Sequence, residues 1–351
     1  MRSRWGQLAG IAITLVCLWL AFRSVDVQEL VGALAGADYR LIVPAALLWL
    51  VGYVIRTVRW KVILAGSPAG SLFELFGVLM IGFATNNLLP ARLGELARAY
   101  LLTQKTPLRK TFVLASVFLE RVFDGLALVA VLVILSTVVH LPGWGQEVEL
   151  VASVLFVGVA LGVSLLLYRH DLVTRLVAFL ARPLPGRLRA FVIGAFASFV
   201  HGLGSMRRGD VVAGSTLLSI AVWLVEWSAY MVVCTAFNLG LTPAQLATAC
   251  AFLLVVVNLG IMLPAAPGYV GTFQFFAVSA LGVWGVPREP ALAVAIVAHL
   301  VQYAVVTAIG LVFFGREHLS LRAVAAASRE SGAGEREPAG EARAAVSEVG
   351  S

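Results

Sequence analysis

Asn86-Asn87-Leu88-Leu89-Pro90-Ala91-Arg92-Leu93-Gly94-Glu95 is the stretch on which the reading of this chain turns. An apolar run from 71 to 89 leads into it, proline interrupts the run, and charged residues follow. A second apolar run, 246 to 263, ends in Leu263-Pro264-Ala265-Ala266-Pro267-Gly268. Both breaks read L-P-A-x-x-G, and the segments after them, 91 to 104 and 270 to 285, are short or charged. Backbone that leaves the helix at membrane depth is tolerated only where protein or a watery cavity satisfies its hydrogen bonds. The two elements are therefore expected to be broken or re-entrant helix pairs facing the interior.

The rest of the chain supplies the membrane. Of its 351 residues 60% are hydrophobic and 13% charged, against about 45 to 50% and about 25% in soluble domains. A mean hydropathy of +0.93 leaves too little polar surface for a water-soluble globule, which excludes soluble enzymes, nucleic-acid-binding domains and secreted disulfide scaffolds. The net charge of +7 then points to basic loops against anionic lipid, with no nucleic-acid partner. Cys17, Cys234 and Cys250 lie in apolar stretches without metal-ligand spacing, so they read as packing residues and no metal site is expected.

The fold class expected is an all-α polytopic membrane protein. Apolar runs long enough to span occur at 7–22, 39–58, 112–139, 149–168, 211–237 and 291–314, giving six full spans beside the two broken pairs. Phe22 and Arg23 stand where a signal-peptide cleavage site would need small residues, so the first run reads as an uncleaved anchor. Basic residues near Arg2, Arg4, Arg56, Arg59, Lys61, Lys105, Arg109 and Lys110, and in the connector 169–210, fall on one side in this count. That side is the cytoplasm by the retention of Arg and Lys, placing both termini there in the cell membrane and Gly143 and Thr242 outside. With this sidedness the two breaks enter from opposite faces, the arrangement of an inverted repeat with halves 1–140 and 148–315 and a binding site between the paired breaks. Within the connector, Phe191, Ala195, Phe196 and Phe199 recur near helical spacing beside Arg187 and Arg189, which fits an amphipathic helix on the inner leaflet or a packed cytoplasmic helix. Residues 1–315 form one transmembrane domain, and 316–351, rich in Ala, Gly, Ser, Glu and Arg without periodicity, is expected to be a disordered cytoplasmic tail.

Polar residues inside these runs are the candidate site. Pro90 suits the first turn of a new helix, whose free N–H groups and positive dipole end would attract a phosphate. Arg92, Glu95 and Arg98 follow at three-residue spacing, so that Glu95 could hold both guanidiniums while one reaches a ligand. The competing reading has the arginines snorkelling to headgroups. Glu120, Arg121 and Asp124 lie inside an otherwise apolar span, where each charge costs about 2.5 to 3.5 kcal/mol even on the lenient insertion scale. Such residues mark a pathway or an ion pair, here Arg121 with Asp124. Glu226, between Trp223 and Trp227, has no partner evident in the sequence and is protonated, paired with an arginine of the other half, or part of an ion pathway. The second half adds Asn258, Gln274 and, at i, i+3, i+4 of the last span, His299, Gln302 and Tyr303, with His299 read either as part of the site or as an interhelical hydrogen-bonder. Arg56 and Arg59 read as interfacial anchors. Asn87 joins the substrate-binding set, and Pro90, Gly94, Pro264, Pro267, Gly268 and Gly271 shape the breaks. No nucleotide loop, dinucleotide fingerprint or nucleophile elbow occurs, so no cofactor is expected.

Taken together, R-x-x-R-W (56–60), N-N-L-L-P-A-R-L-G-E-L-A-R (86–98), E-R-x-x-D (120–124) and P-x-x-P-G-Y-V-G-T-F-Q (264–274) resemble the flippase-like membrane domain of lysylphosphatidylglycerol synthases, a domain found also as standalone proteins. The resemblance covers residues 5 to 315 and matches Asn87, Pro90, Arg92, Gly94, Glu95, Arg98, Glu120, Arg121, Asp124, Pro267, Gly268 and Gly271. It implies a protein that moves an anionic or aminoacylated lipid, or a polyprenyl-linked glycan, between leaflets. Two departures stand out. The family commonly carries Glu where this chain has Gln274, and nothing after residue 315 resembles the aminoacyl-tRNA-dependent synthase domain, so the chain is not expected to aminoacylate lipid. The expected function is lipid translocation, with membrane lipids bearing an anionic headgroup as partners. The alternatives are a membrane-embedded enzyme using polyprenyl-phosphate sugars, with Glu95, Glu120 or Asp124 as base, and a noncatalytic partner of an envelope-biosynthesis enzyme.

Overall fold

The computed structural model describes residues 2–89, 93–169, 173, 175, 177, 179–183, 185–262 and 266–317; side chains of 2–9, 11, 187, 188, 190, 191, 195, 198 and 201 are outside the description. The regular secondary structure of the described residues is all helical, without a strand. In chain order the helices are α1 (Arg2–Phe22), α2 (Val27–Ala35), α3 (Ile42–Ile63), α4 (Leu72–Leu88), α5 (Gly94–Lys105), α6 (Lys110–Val138), α7 (Gly143–Tyr168), α8 (Gly186–Gly202), α9 (Gly209–Ala236), α10 (Pro243–Gly260), α11 (Thr272–Gly282) and α12 (Arg288–Arg316). The helices containing α3, α7, α9, α10 and α12 are long and apolar enough to cross a membrane, and α6 has 29 residues, about 44 Å of helix. The chain is an all-α polytopic membrane protein.

Two expectations change. The run 246–263 contains a helix, α10, that is by itself long enough to cross, because Thr242 and Gln245 form a capping box that starts it three residues before the apolar run. The segment between the first two apolar runs, for which no helix was expected, holds α2, whose N-terminus is fixed by Asp26 accepting from the backbone N–H of Gln28 and Glu29.

The largest interface joins α3 and α9, where Trp49 meets the edge of Tyr230. Around that pair α4 packs on α12 and α10 on α6, while α5 bridges α4 and α6 and α11 bridges α10 and α12. Outward faces stay apolar, as on α7, where Leu150, Val154 and Leu161 are exposed, which suits contact with lipid tails. The connector helix α8 packs against α6, with Phe199 against Phe118. Phe191, Ala195 and Arg187 of the connector have side chains outside the description, and the expected disordered tail lies outside it from residue 318.

The breaks end their helices for local reasons. Leu89 is extended, φ −117° and ψ 145°, as the residue before a proline is driven to be. Ala266, before Pro267, is extended as well. After it Gly268, Tyr269 and Gly271 all take positive φ, which glycine adopts without strain. A Cβ on Gly268 would approach the Tyr303 ring and the carbonyl of Asn87, so the second break rests directly on the end of α4 beside the first. On its other side Thr14 of α1 accepts from the Ala266 N–H at 2.9 Å. Pro90, Arg92 and Pro264 lie outside the described residues.

Candidate functional site

Between the breaks lies a cavity of about 140 Å³. Its walls come from α3 (Tyr53, Arg56), α4 (Phe83, Asn86, Asn87), α5 (Glu95), α6 (Arg121, Asp124), α9 (Trp223, Glu226) and α12 (His299, Gln302), together with Asn258 and the aromatic rings of Tyr269 and Tyr303. Asn87, Glu95, Arg121, Asp124, Glu226, His299 and Gln302, candidates scattered along the sequence, thus reach one space.

The charges are arranged in two sets. In the first, Arg98 of α5 contacts Glu120 of α6 at 2.6 Å, with the two side chains 3% and 4% exposed. The Arg98 guanidinium lies 4.0 Å over the Trp60 ring, whose Nε1 donates to Ser116 Oγ. This group binds α3, α5 and α6 and does not line the cavity. Arg59, 1% exposed, extends it by donating to Asp124 Oδ1 at 2.6 Å and to Ser219 Oγ of α9 at 2.8 Å. In the second set, on the cavity wall, Arg56 donates to Glu226 Oε2 at 2.7 Å and lies 3.4 Å from Asp124, its guanidinium 4.9 Å from the Trp223 ring. Gln302 donates to the other Glu226 oxygen at 3.4 Å. Arg121 stands 3.7 Å from Glu95 and 3.7 Å from Asp124. Arg56, Arg59, Arg98 and Arg121 are equal in number to Glu95, Glu120, Asp124 and Glu226, so this cluster is electrically neutral. That balance is what allows so many charges to be buried, since removing either member of a buried pair leaves an uncompensated ion.

Several expectations are corrected by this geometry. Arg56 and Arg59, read as interfacial anchors, are buried and hold Asp124 and Glu226. Arg98 pairs with Glu120, not with Glu95. The Arg121–Asp124 contact stays within α6, and the pairing that locks helices together is that of Asp124 with Arg59. Glu226 is paired with an arginine of the other half, one of its three readings. The described helix after the first break begins at Gly94, whose N–H donates to Asn86 Oδ1 at 2.7 Å, so at least this helix-start donor is already answered. Gly94 also sits against the Gly82 carbonyl, where a Cβ would collide. Gln274 does not line the cavity. Its Oε1 accepts from the Gly271 N–H at 2.7 Å and its Nε2 meets His299 Nδ1 at 3.0 Å, so it caps α11 and orients His299, which stacks on Phe273. Asn87 donates to Thr307 of α12 at 3.0 Å.

Tyr53, Phe83 and Tyr269 line the cavity and were not singled out in the sequence. Tyr53 stands three residues before Arg56 on α3, and that i, i+3 spacing was the signal available. Phe83 packs on Tyr53 at 5.3 Å between ring centroids and lies in a run so uniformly apolar that no face stands out.

Fold and site together define a polytopic helical membrane protein with a charged, aromatic-walled central cavity. The chain belongs to the family described as the lysylphosphatidylglycerol synthase TM region, whose profile matches residues 7–310. Among curated proteins it is similar to the glycosyltransferase AglD of Haloferax volcanii, at 28% identity over 326 residues, covering 85% of this chain and 52% of that protein. The chain therefore spans about half the length of that relative. It is also similar to two UPF0104 membrane proteins of Methanothermobacter thermautotrophicus, at 26% identity (86% of this chain, 92% of the relative) and 25% identity (89% and 94%). No solved structure matches the chain.

Proposed function

We propose that the protein translocates a phosphate-bearing membrane lipid between leaflets, an anionic or aminoacylated phospholipid or a polyprenyl-linked lipid, with the headgroup passing through the central cavity. The observation that carries this reading is the Arg121–Glu95 pair. At 3.7 Å it is loose, and its side chains are 34% and 24% exposed beside the cavity, against 3% and 4% for Arg98 and Glu120. A pair so loosely held beside a cavity can exchange its contact for a ligand's at little cost, whereas Arg56, Arg59 and Arg98 each lie within 2.7 Å of a carboxylate oxygen. The two halves, 1–140 and 148–315, are read as an inverted repeat, because α4 on α12 is matched by α10 on α6 and both breaks meet at one cavity. A chain with both termini and the connector on the cytoplasmic side fits the remaining basic loops once Arg56 and Arg59 are taken out of the count.

Purified protein in liposomes, assayed for headgroup accessibility of fluorescent phospholipids, tests the function: exchange above that of protein-free liposomes is expected. Impermeant labelling of single cysteines at Gly143 and at Arg187 is expected to occur from opposite sides, and labelling from one side would overturn the orientation. The alternative of a membrane enzyme or accessory subunit acting on polyprenyl-phosphate sugars is favoured by the similarity to a protein named a glycosyltransferase. In that reading Glu95 is the available base, since Glu120 is closed off by Arg98 and Asp124 is held by Arg59. Product formed from polyprenyl-phosphate sugar without lipid exchange would select it.

A further inference from the structure

His299 stands on the wall of the central cavity, 8% exposed, and its ring is held from two directions. Phe273 stacks on it with 4.5 Å between centroids and 9° between planes, and Tyr303 meets it edge-on at 6.3 Å. The contact with Gln274 decides its chemistry. Gln274 Oε1 accepts from the Gly271 N–H at 2.7 Å, which turns the oxygen of the amide to Gly271 and its NH2 group to His299. An amide nitrogen donates and does not accept, so in the 3.0 Å contact Gln274 Nε2 is the donor and His299 Nδ1 the acceptor. The ring proton is then on Nε2. An imidazolium carries a proton on both nitrogens, and its Nδ1–H would face the N–H of the amide. Turning the amide over would relieve that clash only by setting its NH2 group against the Gly271 N–H. His299 can be protonated or Gly271 can be capped, but not both.

The cap matters because Gly271, at φ +85°, has no side chain with which to start α11, and Gln274 at the third helical position supplies it. A Cβ on Gly271 would strike Leu18 and the Thr14 carbonyl of α1, and the Gly268 backbone contacts the His299 ring. One imidazole thus joins both glycines of the second break to α12. Its Nδ1 partner is an amide because α11 carries no titratable side chain. The other helices packed on α12 offer no substitute: α2 and α4 carry only the exposed Glu29 and Glu74. On the cavity wall Asp124 and Glu226 are paired with Arg56, and Glu95 with Arg121. The phenols of Tyr53, Tyr269 and Tyr303 complete its titratable groups.

We propose that the Gln274 amide locks His299 in the neutral form with its proton on Nε2, and that His299 is a positioning residue that seats the second break and carries no proton. The positioning role rests on the translocase reading; the protonation state does not.

The test is nitrogen NMR of the full chain in nanodiscs, labelled at histidine and titrated between about pH 5 and 8, the range in which an ordinary imidazole changes charge. The His299 signals are identified by their loss in His299→Asn. Nδ1 is expected to show the shift of an unprotonated ring nitrogen and to keep it throughout, while the exposed His140 titrates. A protonated Nδ1, or a titration like that of His140, would overturn the lock. In Gln274→Glu one carboxylate oxygen still caps Gly271 and the other accepts from an Nδ1–H, so Nδ1 is expected to become protonated; an unchanged Nδ1 would overturn the contact. Lipid exchange in liposomes reads the positioning role. His299→Leu, which leaves the Gln274 donor unpaired, is expected to lose about tenfold in rate. His299→Asn, whose Oδ1 takes the place of Nδ1 as acceptor, is expected to recover the larger part of that loss. Equal rates in the two variants would overturn the positioning role. Absence of exchange in the unmodified chain would overturn the translocase reading and the positioning role with it, while the NMR result still decides the protonation state.

Discussion

Arg98 with Glu120 and Arg121 with Glu95 join the same two helices with the same two residue types, and they are opposites. The first pair is in contact at 2.6 Å, almost wholly enclosed, and covered by the Trp60 ring. The second is separated by 3.7 Å, about a third and a quarter exposed, and faces the cavity. A charge inside a span therefore carries two distinct meanings. Where it is enclosed and in close contact with its counter-charge it fastens helices, and removing one member strands the other in low dielectric. Where it is loosely matched beside a cavity it is free to change partners.

The largest effect expected from this contrast is on folding. Arg98→Ala or Glu120→Ala should cost about 3 to 5 kcal/mol, the penalty for orphaning a buried ion, and should be read as lost membrane abundance and a lowered melting temperature in detergent. Arg121→Ala should cost about 1 kcal/mol or less, since a loose and partly exposed pair contributes little to stability. Equal destabilisation by Arg98→Ala and Arg121→Ala would erase the distinction. Next in size is Gly268→Ala. Its φ of +69° and its contacts with Tyr303 and the Asn87 carbonyl put the expected cost at about 1 to 3 kcal/mol, with reduced lipid exchange because the second break no longer seats on α4. The smallest effect is at Gln274. Gln274→Ala removes the bond to the Gly271 N–H and should cost about 1 kcal/mol, while the preference between anionic and aminoacylated lipids stays as it was, because that side chain is behind the cavity wall. A changed lipid preference would place Gln274 in the headgroup path.

The sequence made the membrane, the long helices and the positions of both breaks legible, because apolar run length and proline act locally. It did not disclose α2, whose nine residues hide in a charged loop and depend on Asp26 for their start. Glu120, Asp124 and Glu226 were visible as charges in apolar surroundings. Their partners were not, because Arg56 and Arg59 lie at the end of a span, where sequence reads them as surface residues, and only the α3–α9 interface turns them inward. The same holds for Arg98. Spacing along α5 suggested Glu95 as its partner, but the close approach of α5 to α4 through Gly82 and Gly94 accompanies a course that aims its guanidinium at α6. Pairing across helices is set by packing, and periodicity within one helix does not encode it.

The central claim is that the loosely held pair, and not the enclosed one, meets the lipid headgroup. Reconstitution of the unmodified chain, Glu95→Gln and Arg121→Gln at matched protein density, followed by the initial rate at which a fluorescent anionic phospholipid becomes accessible from the opposite leaflet, tests it most directly. Both variants are predicted to insert and melt like the unmodified chain while losing at least nine-tenths of the rate, on the order of the 1.4 kcal/mol that a tenfold loss represents. Near-normal rates in both variants would contradict the account.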